Sequence, residues 1–124
     1  MRGIKVSGVV ECGRRLGRTI GFPTVNLALP EGVELADGVY RSQVEFDGRC
    51  YAAMSNVGCN PSVGGAERRI ETHLFDFEGD LYGRRIEVEL FEKLREECRF
   101  PDLEALRRQL EADKQQILNQ LNKQ

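Results

Sequence analysis

The stretch GVYRSQVEFDGRCYAAM, residues 38–54, contains the strongest fold signal in the chain. Its first half, Gly38 to Phe46, is rich in residues that favour β-strands, and a second such run extends from Cys50 to Met54. The dipeptide Asp47-Gly48 lies near their junction, and Asp-Gly is typical of the two-residue turns that join antiparallel strands. The stretch therefore predicts a β-hairpin.

Runs on both sides of this hairpin also have strand character. Residues 4–10 alternate between apolar and polar side chains, and residues 70–77 are again rich in β-forming residues. Further along, Ile86, Val88 and Leu90 alternate with glutamates, which is typical of a strand with one face in water. Together these runs predict five or six strands with short turns.

The spacing of apolar residues changes from strand to helix periodicity after Pro101. Asp102 can cap the first turn, and no glycine or proline interrupts the run. Five apolar residues fall on one helical stripe: Leu103, Leu106, Leu110, Ile117 and Leu121. We expect one mainly β domain over residues 1–124, with an antiparallel barrel over about 4–95 that is closed or covered on one side by a C-terminal helix over about 102–121.

Composition and charge argue against several classes of partner. The chain has 124 residues, with 18 Lys and Arg against 20 Asp and Glu, so its formal net charge is −2. Such a chain has no basic field that would attract nucleic acid or anionic lipid. No apolar run approaches the roughly 20 residues that a membrane helix needs. We expect no nucleic-acid partner and no membrane partner. The sequence indicates no exposed apolar patch, so we also expect a monomer.

The four cysteines, Cys12, Cys50, Cys59 and Cys98, form no C-x-x-C pair. This spacing argues against a zinc site and against a thiol redox motif. The residues after Met1 also lack the apolar core of a signal peptide. Reduced thiols and a cytoplasmic location are the simplest interpretation, while the even number of cysteines leaves disulfides as the alternative.

Residues 13–26, GRRLGRTIGFPTVN, combine three glycines with three arginines. A glycine-rich loop lets backbone N–H groups approach phosphate oxygens closely, and arginines can supply the opposite charge. The alternative is a solvated surface loop whose glycines serve only turn geometry. Spacing alone favours this second interpretation, because the stretch matches neither a P-loop nor a dinucleotide-binding fingerprint.

The end of this stretch favours a nucleotide and metal site instead. Thr24 carries a hydroxyl and Asn26 an amide oxygen, and residues two apart share one face of an extended chain. Mg²⁺ prefers oxygen ligands and often shares its coordination shell with phosphate oxygens. Thr24 and Asn26 are therefore the candidate ligands of a magnesium ion, or of another divalent cation, beside a phosphate-binding loop.

Five segments give the chain a resemblance to riboflavin kinases (flavokinases) of the bacterial and eukaryotic type: GRRLGRTIGFPTVN, DGVY, NVGCNP, IETHLFDFEGDLYG and LREECRFPDLEAL. The resemblance implies a six-stranded antiparallel Greek-key barrel with a C-terminal helix. It also implies an enzyme that uses MgATP to phosphorylate the ribityl 5′-hydroxyl of riboflavin, giving FMN and ADP. Bacterial members are commonly fused to an adenylyltransferase domain that makes FAD. The resemblance thus implies a free-standing kinase or one half of such an FAD synthetase.

Individual roles follow from the same resemblance. Thr24 and Asn26 match the magnesium ligands of the family's P-T-A-N motif, and Glu71 matches the catalytic base of its E-T-H motif. Two further sets match residues that bind ATP or the flavin: Gly13, Gly17 and Arg18 in the loop that folds over ATP, and Leu94, Arg95 and Phe100 before the last helix. Val25, Cys59 and Cys98 depart from the residues common in the family, and these departures bear on affinity.

Several residues also allow interpretations that involve no catalysis. Without the resemblance, the sequence pattern around Glu71 indicates an exposed residue on a strand. His73 shares a strand face with Glu71, and we expect a histidine with a structural partner rather than a proton shuttle. Tyr40, Tyr51 and Tyr82 are expected in the core. The alternative function is a small β-barrel module that binds flavin or nucleic acid without turnover, although such a module needs neither the two oxygen ligands nor Glu71.

Overall fold

The computed structural model describes residues 3–11, 21–30, 32–62 and 65–122, which form six β-strands and one helix. The elements are β1 (Ile4–Val9), β2 (Val25–Ala28), β3 (Gly38–Phe46), β4 (Arg49–Ser62), β5 (Gly65–Leu74), β6 (Arg85–Arg95) and α1 (Leu103–Asn122). Every strand pair is antiparallel, and the order across the sheet is β1-β6-β3-β4-β5-β2. The predicted mainly β fold with a C-terminal helix is confirmed.

The connections make a Greek key and bring the two sheet edges together. Strands β3, β4 and β5 follow one another, and β6 returns to lie beside β3, which gives the order β6-β3-β4-β5. At the open edges, the Glu11 N–H donates a hydrogen bond to the Asn26 carbonyl oxygen at 2.8 Å, just beyond the end of β1. The six strands therefore form a nearly closed barrel.

The predicted hairpin joins β3 to β4. Asp47 and Gly48 have φ values of 50° and 75°, as a two-residue turn with both central residues in the left-handed region requires. However, β4 continues past Met54 to Ser62, so the predicted strand was too short. Gly58 and Pro61 in this extension are poor strand formers, but pairing with β5 along the whole extension overrides their local preference.

The end of β5 also differs from the sequence-based boundary. The strand ends at Leu74 rather than Phe77. The Phe75 N–H still donates to the Ala52 carbonyl oxygen at 2.8 Å, but Asp76 then takes a φ of 55° and the chain leaves the sheet. The following segment, residues 77–82, therefore lies outside the strands of the barrel.

Apolar side chains fill the barrel interior, and the few polar groups there are paired. Leu27, Val44, Val57, Ile70 and Val88 are almost completely buried and belong to one cluster. Three buried hydroxyls cross the same face of the sheet in a line, with 2.7 Å between Ser42 Oγ and Ser55 Oγ and 2.7 Å between Ser55 Oγ and Thr72 Oγ1. These hydrogen bonds offset the cost of burying hydroxyls among apolar side chains.

Helix α1 packs against the outer face of the barrel. Asp102 caps it, since its Oδ1 accepts a hydrogen bond from the Ala105 N–H at 2.8 Å. The apolar stripe covers a second buried cluster that includes Phe22, Met54 and Phe75 from the barrel side and Ile117 from the helix. Leu103, predicted on this stripe, is 44% exposed because it lies in the first turn, beyond the cluster.

No helix among the described residues is both long and apolar enough to cross a membrane. Cys50 and Cys98 carry free, exposed thiols.

Gly38 begins β3 close to the end of β6, and this contact generates a prediction about stability. Its φ is 149°, and an added Cβ would lie 2.8 Å from the Arg95 carbonyl oxygen. We expect Gly38→Ala to lower the free energy of unfolding by about 2 kcal/mol, because both the dihedral and the contact are unfavourable for a side chain. Urea denaturation followed by circular dichroism measures this change.

Gly8→Ala is the matched control on strand β1, which pairs with the other side of β6. Gly8 has no positive φ, and an added Cβ would meet Leu27 Cδ2 at an ordinary 3.4 Å. This variant should unfold within about 1 kcal/mol of the original chain. Equal stability of Gly38→Ala and the original chain would contradict the explanation for Gly38.

Candidate functional site

A row of aligned residues crosses the outer face of the barrel, and the predicted base lies within it. Asn26 on β2 pairs with Glu71 on β5, and Glu71 pairs on its other side with Asn56 on β4. Asn56 pairs with Val39 on β3, which in turn pairs with Arg95 on β6. Because directly opposed residues of antiparallel strands point to the same face, these five side chains lie side by side.

Two cavities open along this row and meet at Thr24. The loop cavity, of about 290 Å³, is lined by residues 77–82 together with Glu11, Thr24 and Asn26. The helix cavity, of about 160 Å³, is lined by Thr24, Glu71 and Asn56 and by Leu106 and Leu110 of α1. Thr24 therefore shares one cavity with Asn26 and the other with Glu71.

The two cavities differ in the chemistry of their walls. Polar side chains contribute much of the wall of the loop cavity, and Glu11, Glu78 and Asp80 are among them. In contrast, Phe22, Val39, Met54 and the two leucines of α1 make the helix cavity mostly apolar. A mostly apolar cavity with a few polar groups is typical of a site for a small organic molecule.

The amide oxygen of Asn26 is enclosed and receives no hydrogen bond from the described part of the chain. The residue is only 3% exposed, and its Oδ1 has no hydrogen-bond partner among the described residues. An enclosed acceptor without a donor costs about 1–3 kcal/mol, which a bound cation would remove. Together with the Thr24 hydroxyl, this oxygen fits the ligand set that magnesium prefers.

Metal sites built from clustered His, Cys, Asp or Glu side chains are not found in the part of the chain that the structure describes. No group of three or more His, Cys, Asp or Glu side chains there could hold a metal ion. The predicted ligands Thr24 and Asn26 are of a different type, because both supply neutral oxygens.

His73 connects the strand of Glu71 to the segment before β2. The His73 Nδ1 lies 2.7 Å from the Pro23 carbonyl oxygen, so the neutral ring donates from Nδ1. The rings of Phe22 and Phe75 flank it, with centroids at 5.1 and 5.6 Å. The predicted histidine with a structural partner is confirmed, and the hydrogen bond holds the residue next to Thr24 in place.

Arg95 faces the helix cavity with its charge already paired. Its Nε and Nη2 donate to the Asp113 carboxylate of α1 at 3.0 and 2.9 Å, and its Nη1 donates to the Glu96 carbonyl oxygen at 3.0 Å. The guanidinium also lies 5.8 Å from the centre of the Phe100 ring. Of the three predicted flavin contacts, Arg95 lines this cavity, Leu94 packs against the cluster under α1, and Phe100 lies beside Arg95.

Three predicted ATP-binding residues lie outside the described part of the chain. Gly13, Gly17 and Arg18 belong to residues 12–20, about which the structure gives no description. The described neighbours of that segment, Glu11 and Phe22, line the loop cavity and the helix cavity respectively.

The structure also places residues at the cavities that sequence reasoning left out. Tyr82, predicted in the core, is 62% exposed and lines the loop cavity. Tyr40 is buried as predicted, and its hydroxyl donates to the Ala36 carbonyl oxygen at 2.6 Å. Asn56 was not singled out, although it belongs to the quoted segment NVGCNP, because only strand pairing shows that it lies opposite Glu71.

Comparison with known proteins shows the family of this chain. Residues 1–121 match the family Flavokinase, described as riboflavin kinase. The chain belongs to the riboflavin kinase family. A curated relative, the bifunctional riboflavin kinase/FMN adenylyltransferase of Haemophilus influenzae, is 40% identical over 110 residues, which are 88% of this chain and 36% of that protein. The chain spans about a third of the length of the curated relatives it matches.

Two solved structures share the fold. A structure from Streptococcus pneumoniae, described as a macrolide-efflux protein, aligns with a TM-score of 0.86 and 37% identity, over 94% of this chain and 39% of that one. Riboflavin kinase from Trypanosoma brucei aligns with a TM-score of 0.67 over 99% of this chain and 82% of that one. The two sequences are only 20% identical, so this second similarity concerns the fold alone.

The environment of His73 generates a prediction about its titration. Burial lowers the pKa of His73 below its usual 6.5, the Pro23 carbonyl opposes this shift, and the positive Lys114 adds to it. Because this is the only histidine of the chain, NMR of the imidazole Cε1 proton gives a single titration curve. We expect its midpoint below the ordinary value in the folded protein and near that value in urea.

The same shift fixes the sign of the pH dependence of stability. The unfolded chain binds the proton more tightly than the folded chain does, so His73 reduces the free energy of unfolding as pH falls below about 6.5. Above that pH the full stability is present. A folded-state midpoint at or above the urea value would contradict the structural account of this histidine.

Proposed function

We propose that this chain transfers the γ-phosphoryl group of ATP to the ribityl 5′-hydroxyl of riboflavin, giving FMN and ADP. The observation that carries the proposal is the position of Thr24 between two cavities, with Asn26 in one and Glu71 in the other. A phosphoryl-transfer enzyme needs a triphosphate on one side of the reacting phosphorus and an acceptor hydroxyl on the other. Membership of the riboflavin kinase family supports this choice of donor and acceptor.

The two cavities receive the two substrates in this proposal. The helix cavity takes riboflavin, because its apolar walls suit the isoalloxazine ring and Glu71 lies at its polar side. The loop cavity takes the nucleotide, with its phosphates directed toward Thr24 and Asn26. Arg95 contributes a guanidinium plane that Asp113 holds in position, so its role is to shape the flavin site rather than to supply a free charge.

The chemical step follows from these positions. The riboflavin 5′-oxygen forms a bond to the γ-phosphorus, the bond from that phosphorus to the β,γ-bridging oxygen breaks, and ADP leaves. Glu71 takes the hydroxyl proton as the bond forms. A magnesium ion held by Thr24 and Asn26 would neutralise charge on the β- and γ-oxygens. Both ligands are neutral, so they leave the cation's positive charge available to the phosphates.

The other parts of the proposal concern the surroundings of the reaction. We infer a cytoplasmic monomer that takes its two small-molecule substrates without nucleic acid or membrane. An FMN adenylyltransferase domain is the expected partner, because the curated relatives that the chain matches are bifunctional. A passive flavin-binding barrel is not favoured, since it would not require the Asn26, Glu71 and Thr24 arrangement.

The first test is production of FMN and its dependence on Glu71. The original chain, incubated with riboflavin and MgATP, should yield FMN by chromatography. We expect Glu71→Gln to lower kcat by about 10²–10⁴-fold, because general-base assistance has this magnitude, and to leave ATP binding nearly unchanged. Glu87→Gln is the matched control, since Glu87 lies on β6 away from both cavities and pairs only loosely with Lys5, at 3.9 Å.

The control variant should keep the activity of the original chain. Near-normal turnover by Glu71→Gln would remove Glu71 from the mechanism. A stoichiometric riboflavin complex in the original chain, with no FMN and no ADP formed, would favour the passive module instead.

The second test concerns the cation ligands. Thr24→Val and Asn26→Leu remove one oxygen each with little change in volume. Each should raise the Mg²⁺ concentration needed for half-maximal activity by about tenfold, which corresponds to a loss of roughly 1.4 kcal/mol in binding free energy. Thr24→Ser keeps the hydroxyl and should restore most of the loss. An unchanged Mg²⁺ dependence in both of the first two variants would contradict the assignment.

A further inference from the structure

Glu71 has an asparagine directly opposite it on each neighbouring strand. Asn26 on β2 and Asn56 on β4 are its two partners in the sheet, and all three side chains point to the outer face. Both amides have a buried Oδ1 without a hydrogen-bond partner among the described residues. The Asn26 oxygen is accounted for by the proposed cation, but the Asn56 oxygen is not.

The two amides lie on opposite sides of the boundary between the cavities. Asn26 lines the loop cavity, while Asn56 lines the helix cavity together with Glu71 and Thr24. The Asn56 Oδ1 therefore faces the flavin, which receives the phosphoryl group, and not the nucleotide. A neutral amide cannot take up the proton of the reacting hydroxyl, so its chemistry there is to accept a hydrogen bond.

We propose that Asn56 binds a secondary hydroxyl of the ribityl chain and so selects flavins that carry an intact polyol. This inference rests on the proposed riboflavin kinase activity and deepens it. The 5′-hydroxyl reacts at Glu71, and strands lie about 4.8 Å apart, so a side chain on β4 reaches a hydroxyl one or two carbons further along the polyol. That hydroxyl supplies the donor that the Asn56 oxygen lacks.

The chemistry of a polyol explains why such a group is needed. A ribityl chain is flexible, and the reaction requires its terminal oxygen to be held in line with the γ-phosphorus. Fixing a neighbouring hydroxyl on Asn56 limits the rotations that would move the terminal oxygen away from Glu71. Asn56 is then a binding residue that improves both affinity and alignment, so its loss affects KM and kcat together.

The experiment is a cycle that combines a protein change with a substrate change. The protein change is Asn56→Leu, which keeps the size and removes the amide. The substrates are riboflavin and its 2′-, 3′- and 4′-deoxy analogues, each lacking one secondary hydroxyl. The measured quantity is kcat/KM for phosphorylation of each compound by each protein.

We expect one analogue to lose about tenfold in kcat/KM with the original chain, as suits one hydrogen bond to a neutral group. Asn56→Leu should lose about tenfold with riboflavin itself. For that same analogue, Asn56→Leu should lower kcat/KM by no more than about twofold relative to the original chain, because the analogue has no hydroxyl to bind Asn56. For the other two analogues, Asn56→Leu should lower kcat/KM by about tenfold, as it does for riboflavin.

Stability separates this binding role from a purely structural one. Asn56→Leu removes an unpartnered buried acceptor, so its melting temperature should equal or exceed that of the original chain. Gln120→Leu in α1 is the matched control, because Gln120 Oε1 is also buried without a partner among the described residues and Gln120 lines neither cavity. This control should leave the discrimination among analogues unchanged. Asn56→Ala serves in the same cycle should the leucine variant fail to fold.

The outcomes distinguish this inference from the proposed function. The role of Asn56 is overturned, while the kinase activity stands, if the original chain phosphorylates riboflavin but shows the same kcat/KM for all three analogues. It is also overturned if, for every analogue, the loss in kcat/KM from Asn56→Leu multiplies with the loss from the missing hydroxyl. If the original chain makes no FMN at all, the proposed function itself fails. The measurement on the original chain alone already tests the inference, whatever the variants do.

Discussion

The pairing of β2, β5 and β4 in one antiparallel register is the constraint on which the site depends. It places Asn26, Glu71 and Asn56 opposite one another on a single face, although they are separated widely along the chain. A shift of one residue in β5 would turn the Glu71 side chain into the barrel and bring Ile70 or Thr72 outside. Burial of those two residues inside the barrel therefore holds the carboxylate outside. The hydrophobic core therefore determines which face of the sheet carries the proposed base.

Helix α1 adds the second wall, and one ion pair holds it in position. The Asp113 carboxylate is almost fully buried and accepts hydrogen bonds from Arg95 on β6, with Gln109 donating a further bond at 2.9 Å. A buried carboxylate without its partner is strongly unfavourable, so the helix packs only where Arg95 can reach it. Because Arg95 also lines the helix cavity, the shape of that cavity and the seating of the helix are fixed by the same side chain.

Much of the fold could be predicted from local sequence, but the row of residues at the site could not. Asp47-Gly48 and the spacing after Pro101 are local signals, and the hairpin and the helix lie where those signals place them. The far half of β4 carries Gly58 and Pro61, whose intrinsic preferences oppose a strand, and only its neighbours make it one. Tyr82 was misplaced for a related reason, since its exposure follows from the turn of residues 77–82 and not from its side chain.

The same distinction applies to the residues with proposed roles. Thr24 and Asn26 could be singled out because they supply two oxygen ligands two residues apart, and Glu71 because its motif resembles that of a known family. Asn56 could be found only by its position opposite Glu71 and by its Oδ1, which has no hydrogen-bond partner among the described residues. His73 shows how the parts are joined. It lies two residues after Glu71 and donates to the carbonyl of Pro23, which directly precedes Thr24. A single strand thus positions the carboxylate and, through one hydrogen bond, the first cation ligand. The distance between base and ligand is therefore set by β5 itself, and any movement of that strand shifts both groups together.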